Sequence, residues 1–330
     1  MLVRRQVLIA GALAAAGVLA TGRRPAQAAP RTLRIGYILP VQSQLGAGAT
    51  ALADELAKRT GGRITVQQFA DATLGGDVEL AKGVQLGAID LALITGFGLS
   101  TVLPEAGVFN IPFLFKSVQH AHAVFDGAIG ESYRPLFAAK DMVMLAWGEN
   151  GLRHITNSKR PIVTPDDLKG LKMRVPQTQV MLTAFQALGA EVATLPFPQL
   201  FEALRSDKFD GEENPIATIL AAKFAQVQKF LTLSGHAYDP AVFVVSPDTF
   251  DDLSAEDKAS LVAAAQLGAA ASRRAAAEAA EAGVVALEQA GMTIQRQIDS
   301  ARFAAAMAGA NAEFEKSFGR QTIEQIRQAG

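Results

Sequence analysis

The hydrophobic pattern changes period along the chain in a way that predicts alternating strands and helices. Thr32 to Leu39 reads as an apolar strand, Gly48 to Arg59 as an amphipathic helix ended by Gly61-Gly62, and Arg63 to Phe69 as a strand with alternating apolar and polar positions. Gly76 to Leu86 then predicts a helix, Gly87-Ala88 a stop, and Ile89 to Thr95 a buried strand. A β-α-β-α-β order of this kind builds a largely parallel sheet, because each helical crossover returns the chain in the same direction. A further helix at Val118 to Gly127 and a strand at Met142 to Trp147 extend this first α/β unit.

A second α/β unit follows. Thr164-Pro165-Asp166-Asp167 combines an N-cap, a proline at the first helical position and acids in the first turn, and Gly170 closes that short helix. Leu171 to Val175 predicts a strand, Thr178 to Leu188 a helix stopped by Gly189, Glu191 to Leu195 a strand, and Pro198 to Arg205 a helix. Tyr238-Asp239-Pro240 precedes a strong β-run, Ala241 to Ser246, expected to return to the first sheet. Ser254 to Asp257 forms a capping box, after which helix-forming residues continue to Ala290. At about 1.5 Å per residue this helix would be on the order of 50 Å long and would span both units. The alternative is two helices broken near Gly268 or Gly283.

Composition narrows the function classes. Arg4-Arg5, an uncharged run from Val7 to Ala20 and Ala26-Gln27-Ala28 follow the plan of an export signal, with cleavage expected after Ala28. The apolar run is shorter than the roughly 20 residues a membrane span needs. Val3-Arg4-Arg5-Gln6-Val7-Leu8 also resembles a twin-arginine signal. Removing residues 1–28 takes away four arginines and no acid, leaving 27 basic against 32 acidic residues and a net charge of −5. A mildly acidic chain with scattered basic residues has no electrostatic footprint for nucleic acid. The absence of cysteine excludes disulfides and thiolate chemistry. The remainder, half of it hydrophobic, is enough for two domains with their own cores.

The chemistry on offer is that of binding. His120, His122, His154 and His236 lack metal-ligand spacing and are expected to be structural or surface residues, and no Ser-His-acid set or GxSxG motif occurs. Gly46-Ala47-Gly48-Ala49-Thr50-Ala51, with Asp71 beyond the next strand, matches a loose dinucleotide pattern and raises the alternative of an exported cofactor-dependent oxidoreductase. The six residues between Leu39 and Gly46 count against it, because in that fold the glycines turn directly at the strand end. Three other residues form a set that can hold a carboxylate. Arg174 offers a planar fork of donors, Phe197 in Leu195-Pro196-Phe197-Pro198 an apolar face, and Asn214 in Glu212-Glu213-Asn214-Pro215 a donor and an acceptor. Taken singly, Arg174 reads as a solvated strand residue beside Lys172, Phe197 as core and Asn214 as a turn residue.

The order and spacing of these motifs carry a resemblance. Gly151-Leu152-Arg153-His154-Ile155-Thr156-Asn157-Ser158, Asp167 through Pro176 with its Met173-Arg174-Val175-Pro176 strand, Leu188-Gly189-Ala190, Pro196-Phe197, Asp210 through Pro215, and Lys223-Phe224 through Phe230 to His236 resemble the solute receptors of tripartite ATP-independent periplasmic (TRAP) transporters, the DctP family. Gly87-Ala88-Ile89-Asp90 and Ile111-Pro112-Phe113-Leu114-Phe115 are similar to that family too. The resemblance implies a type II, two-lobe periplasmic-binding-protein-like α/β fold with mixed sheets and a long helix spanning both lobes. Lobe 1 would comprise residues 29–150 and about 240–275, and lobe 2 residues 151–239 and about 276–330. It implies a periplasmic receptor without catalysis or cofactor, whose lobes close over an organic acid and deliver it to a membrane permease driven by an ion gradient. By the same resemblance Arg174 binds the ligand carboxylate, Asn214 and Phe197 line the site, and Arg153 is a second contact. Gln42 and Gln44 are candidate contacts from the first lobe. Where the family commonly reads Gln-Glu-Asn-Pro, this chain has Glu212 ahead of Glu213.

Overall fold

A computed structural model describes residues 30–329. The export segment and its cleavage point lie outside the described residues. Nine strands form one mixed sheet: β1 (Arg31–Gly36), β2 (Ile64–Phe69), β3 (Leu91–Thr95), β4 (Val143–Asn157), β5 (Lys172–Val175), β6 (Glu191–Thr194), β7 (Gly211–Pro215), β8 (Phe230–Val245) and β9 (Thr293–Gln295). Their order is β2-β1-β3-β8-β4-β7-β5-β6, with β9 added beside β8. β1 is parallel to β2 and β3, β5 is parallel to β6 and β7, and the two long strands β4 and β8 run antiparallel to each other.

Those long strands join two halves. Ala241–Val245 of β8 pairs with β3 and with the start of β4, as the apolar run after Pro240 predicted. The other ends, Arg153–Asn157 of β4 and Phe230–Thr232 of β8, belong to the second half beside β7 and β9. The pattern had ended the first strand at Trp147 and begun the second at Ala241, because Gly148, Gly151 and Asp239-Pro240 read as breaks. In the fold these residues sit inside the ladder at irregularities of register, one of them between Glu149 and Gly151. Gly151 has φ of +134°, and a Cβ there would lie 2.9 Å from Pro215, so the passage between the halves requires glycine.

Helices cover the sheet: α1 (Gln44–Arg59), α2 (Asp77–Gln85), α3 (Val118–Asp126), α4 (Gln179–Ala187), α5 (Leu200–Arg205), α6 (Ile216–Ala221), α7 (Ala255–Gln289) and a C-terminal series α8 (Ser300–Ala306), α9 (Ala308–Phe318) and α10 (Arg320–Gln328). α1 starts earlier than its apolar pattern suggested, since the Ser43 hydroxyl accepts from the Gly46 amide and caps it. α7 is unbroken over 35 residues. Gly268 packs where α1 crosses it, a Cβ there lying 2.7 Å from the Gly48 carbonyl oxygen, and Gly283 packs against Ile216 and Leu220 of α6. The glycines that suggested breaks are points of close approach. Gly48 belongs to the same crossing, so half of the loose dinucleotide pattern is accounted for by helix packing. A large core of buried aliphatic and aromatic side chains extends over both halves, with a smaller cluster around Leu200, Phe209, Ile219 and Phe224 in the second. No helix among the described residues is long and apolar enough to cross a membrane.

Candidate functional site

Arg174 stands between Met173 and Val175, both fully buried, on the short strand β5. Alternation places it on the same face as Lys172, but Lys172 is exposed whereas Arg174 is only 2% exposed. Its Nε and Nη2 both donate to the Leu195 carbonyl oxygen, at 2.9 and 2.6 Å. Leu195 follows β6, which pairs with β5, so local register brings that carbonyl to the guanidinium. Nη1 has no hydrogen-bond partner among the described residues. Burial pushes the Arg174 pKa down to about 10, against the pull of Glu212 and Glu213, which still leaves it charged at neutral pH. An unpaired donor on a buried cation costs upward of about 1–3 kcal/mol, a cost that a bound acceptor removes. With one edge of the fork taken by Leu195, the end-on edge of Nη1 and Nη2 remains for a carboxylate.

Phe197 opens a short 3-10 turn two residues beyond the clamping carbonyl, half-buried, with its ring centroid 6.3 Å from that of Phe224. Asn214 lies buried in β7 and its Nδ2 donates to the Glu212 carboxyl. Glu212 is fully buried, and burial raises its pKa to about 7 despite the bonds from Thr156 and Asn214. The Thr156 hydroxyl lies 2.7 Å from Glu212 Oε1 and 3.1 Å from Gln228 Oε1.

Arg153 is placed differently from a free second contact. Its Nε and Nη2 meet the Glu213 carboxylate at 2.5 and 2.8 Å, Nη2 also meets the Glu213 carbonyl at 2.5 Å, and Nη1 meets Asp239 at 2.8 Å. The guanidinium also lies 4.6 Å from the centre of the Phe97 ring. Register explains the triad, since Arg153 pairs with Pro215 on one side and Ala237 on the other, bringing β7 and β8 acids to it. Burial opposes the Arg153 charge, but Glu213 and Asp239 outweigh it and hold its pKa above the usual value. Burial likewise opposes ionised Glu213, yet Arg153 and His236 hold it below the usual carboxylate range. Asp239 is raised to about 6 by burial, with Arg153 pulling the other way.

The first half supplies Asp77 and Thr95. Asp77 is half-buried at the first position of α2 and accepts from the Thr95 amide at 3.0 Å and its hydroxyl at 2.7 Å. Burial raises its pKa to about 7, against the two bonds from Thr95. The halves touch beside this region: the Thr101 hydroxyl donates to the Gln177 carbonyl at 2.6 Å, and Asn110 donates to Thr178 at 3.1 Å. Gln44 is buried and tied to Asn150 and Thr218, with Oε1 unpartnered, while Gln42 is exposed at the rim of a cavity with Pro40 and Lys223. Neither glutamine bonds to Arg174, Asn214 or Phe197. The histidines bond within the fold, His122 to Glu149 at 2.5 Å and His236 to Glu213 at 3.1 Å.

The sequence singled out Arg174, Asn214 and Phe197, which the fold carries on β5, on β7 and just after β6, and it did not single out Asp77 or the two acids that occupy Arg153. Asp77 had a signal, an acid at a helix start after Gly75-Gly76, but the same pattern marks ordinary capping. A family model described as "Bacterial extracellular solute-binding protein, family 7" matches residues 35–317. The chain belongs to that family. The solute-binding protein of Verminephrobacter eiseniae is 43% identical over 92% of this chain and 90% of its own length. The 2,3-diketo-L-gulonate-binding periplasmic protein of Escherichia coli is 34% identical over 84% of this chain and 85% of its own. A TRAP periplasmic solute-binding protein from Polaromonas, crystallised with D-erythronate, superposes with a TM-score of 0.89 at 42% identity, over 90% of this chain and 98% of that one. Family 7 proteins are receptors, and this chain has their two-lobe α/β architecture as a TRAP-type solute-binding protein.

Proposed function

We propose that this family 7 receptor works in the periplasm, where it captures an organic acid on the free edge of Arg174 and delivers it to the membrane permease of a TRAP transporter. Arg174 carries the reading. A buried, charged guanidinium whose Nη1 has no partner suits a ligand carboxylate, with Asn214 on the paired strand β7 and Phe197 in the turn after β6. Asn214 supplies a polar contact, and Phe197 covers the ligand's carbon chain. Arg153 supports the site from behind, holding β7 and β8 in place through Glu213 and Asp239.

Lobe 1 is residues 29–150 with about 240–275, and lobe 2 is residues 151–239 with about 276–330. The lobes close by rotation where β4 and β8 pass between them, near Gly148 to Arg153 and Tyr238 to Pro240. The export signal is removed after Ala28, which intact mass of the secreted protein checks. The decisive experiment is a thermal-shift screen of ligand-stripped protein against a carboxylate library. A ligand at a hundred times its Kd adds about 2.7 kcal/mol to native stability, a shift of a few degrees for a chain of this size. Absence of any shift across aliphatic, keto, hydroxy and aromatic acids would sink the reading.

A further inference from the structure

Glu212 departs from the common Gln-Glu-Asn-Pro turn, and its surroundings give the departure a use. Met173 of β5 lies opposite Gly211 of β7, so Arg174 falls beside Glu212, and Asn214 is two residues further along the same face of β7. Across the other edge of β7, Glu212 is opposite Thr156 and Asn214 is opposite His154. The Glu212 side chain is fully buried and has two neutral partners, the Thr156 hydroxyl and the Asn214 amide. Asn214 donates to it through Nδ2, while Oδ1 accepts no bond among the described residues and, unlike Arg174 Nη1, is not closed off from solvent. An asparagine amide can turn over, exchanging donor for acceptor, unless a neighbour tells its two ends apart. An ionised carboxylate does so, because it only accepts: turning the amide over would set Oδ1 against the Glu212 carboxylate. A glutamine in its place could turn with the amide and serve either end.

We propose that Glu212 is a positioning residue that locks the Asn214 amide with its oxygen toward the ligand, so that the receptor takes acids with a hydroxyl group on the carbon next to the carboxylate in preference to the corresponding 2-oxo acids. The inference rests on Arg174 as the carboxylate anchor and on Asn214 as a ligand contact. With one Nδ2 hydrogen held by Glu212, the second is free to join Arg174 on the carboxylate, and Oδ1 meets the group beside it. Adjacent strands are about 4.8 Å apart and residues two apart on one strand about 6.6 Å, so an amide in this position meets the carbon next to the held carboxylate rather than the far end of the ligand. A 2-hydroxyl donates to Oδ1. A 2-oxo group brings a second acceptor to it, and the amide cannot turn to accommodate that group. A site built around one hydrogen-bonding group rejects the analogue that leaves it unpaired. An acid that served only to tie β7 to β4 through Thr156 would affect stability and not the choice between the two kinds of ligand.

The test pairs 2-hydroxy acids with their 2-oxo counterparts: lactate with pyruvate, glycerate with hydroxypyruvate, and 2-hydroxybutyrate with 2-oxobutyrate, each hydroxy acid in both enantiomers. The tightest 2-hydroxy acid of the wider library and its 2-oxo counterpart form a further pair. Calorimetric titrations of the stripped protein are run at pH 8.5, where Glu212, its carboxyl raised by burial to about 7, is ionised. In the tightest pair the wild type is expected to hold the hydroxy acid at least tenfold more tightly than the oxo acid. Glu212→Gln is expected to narrow that ratio at least fivefold at a melting temperature no lower than that of wild type. Glu212→Met, which holds neither end of the amide, replaces it should the glutamine variant not fold. A wild-type ratio near one, or a ratio unmoved by the folded variant, overturns the role of Glu212 while the carboxylate receptor stands. Library hits confined to acids without a 2-hydroxyl overturn it as well. If neither the pairs nor the wider acid library binds, the Arg174 assignment fails and this inference falls with it.

Discussion

Arg174→Lys keeps a positive charge and removes the fork, and the structure gives the size of the loss. In the wild type two nitrogens hold the Leu195 carbonyl and a third has no partner among the described residues. A lysine ammonium is a single point and cannot hold that carbonyl and also offer a flat pair of donors. Losing one charge-assisted bond costs about 1.5–3 kcal/mol, hence at least tenfold in Kd. A second effect depends on pH. Burial takes the guanidinium from 12.5 to about 10, and the same penalty applied to a lysine would bring it to roughly 8. Above that pH the variant loses its charge and its affinity drops about tenfold per unit, while wild type holds until about pH 10. Calorimetric titration at pH 6.5 and 9, with the tightest acid from the library, should therefore show a gap between variant and wild type that widens with pH. A folded Arg174→Lys protein binding within threefold of wild type at both values would show that the carboxylate is held elsewhere.

Arg153→Ala leaves Glu213 and Asp239 buried without their cation and is expected to destabilise the fold by about 3–5 kcal/mol in urea unfolding; unchanged stability would refute the triad's structural role. Asn214→Ala should weaken acid binding by roughly 1–3 kcal/mol in the same titration without unfolding the protein. Glu212 has a folded pKa of about 7, raised by burial from the usual 4.5, so its contribution is fully present below the unfolded value and is lost as pH rises through 7. Glu212→Gln removes that penalty, up to about 3 kcal/mol at pH 8. The urea midpoint of wild type should fall more steeply between pH 5 and 8 than that of Glu212→Gln, with the slopes from Asp77 and Asp239 retained in both.

The elements legible in the sequence were those whose period is set locally. β1, β2, β3, α2 and the capped start of α7 follow from apolar spacing and from Ser254, whose hydroxyl accepts from the Asp257 amide as the capping box requires. β4 and β8 were read at about a third of their length, because a strand that changes lobes carries glycine, aspartate and proline where local rules place a turn. Arg174 was legible as a donor fork, yet its burial is tertiary: the carbonyl that holds it comes from Leu195, just after β6. Arg153 shows the reverse. Its motif was plain, but nothing local reveals that β7 and β8 bring two acids to it, so a residue expected at the ligand is already occupied.

α7 touches the first lobe at Gly268 and the second at Gly283, and between them Ser272 accepts from the Glu149 amide of β4 while donating to the Ala269 carbonyl one turn back. A serine bonded in that way is a place where helices bend. The helix is thus a leaf spring clamped at both ends and pinned at its middle to the strand that changes lobes. Rotation of one lobe against the other would have to appear as curvature in this rod or as slip at one of its two glycine contacts, so a helix with no bond to Arg174, Asn214 or Phe197 would bear on the resting angle of the cleft. A bulkier residue at Gly268 or Gly283 would bias that angle, and with it the apparent affinity, leaving every contact at Arg174 untouched.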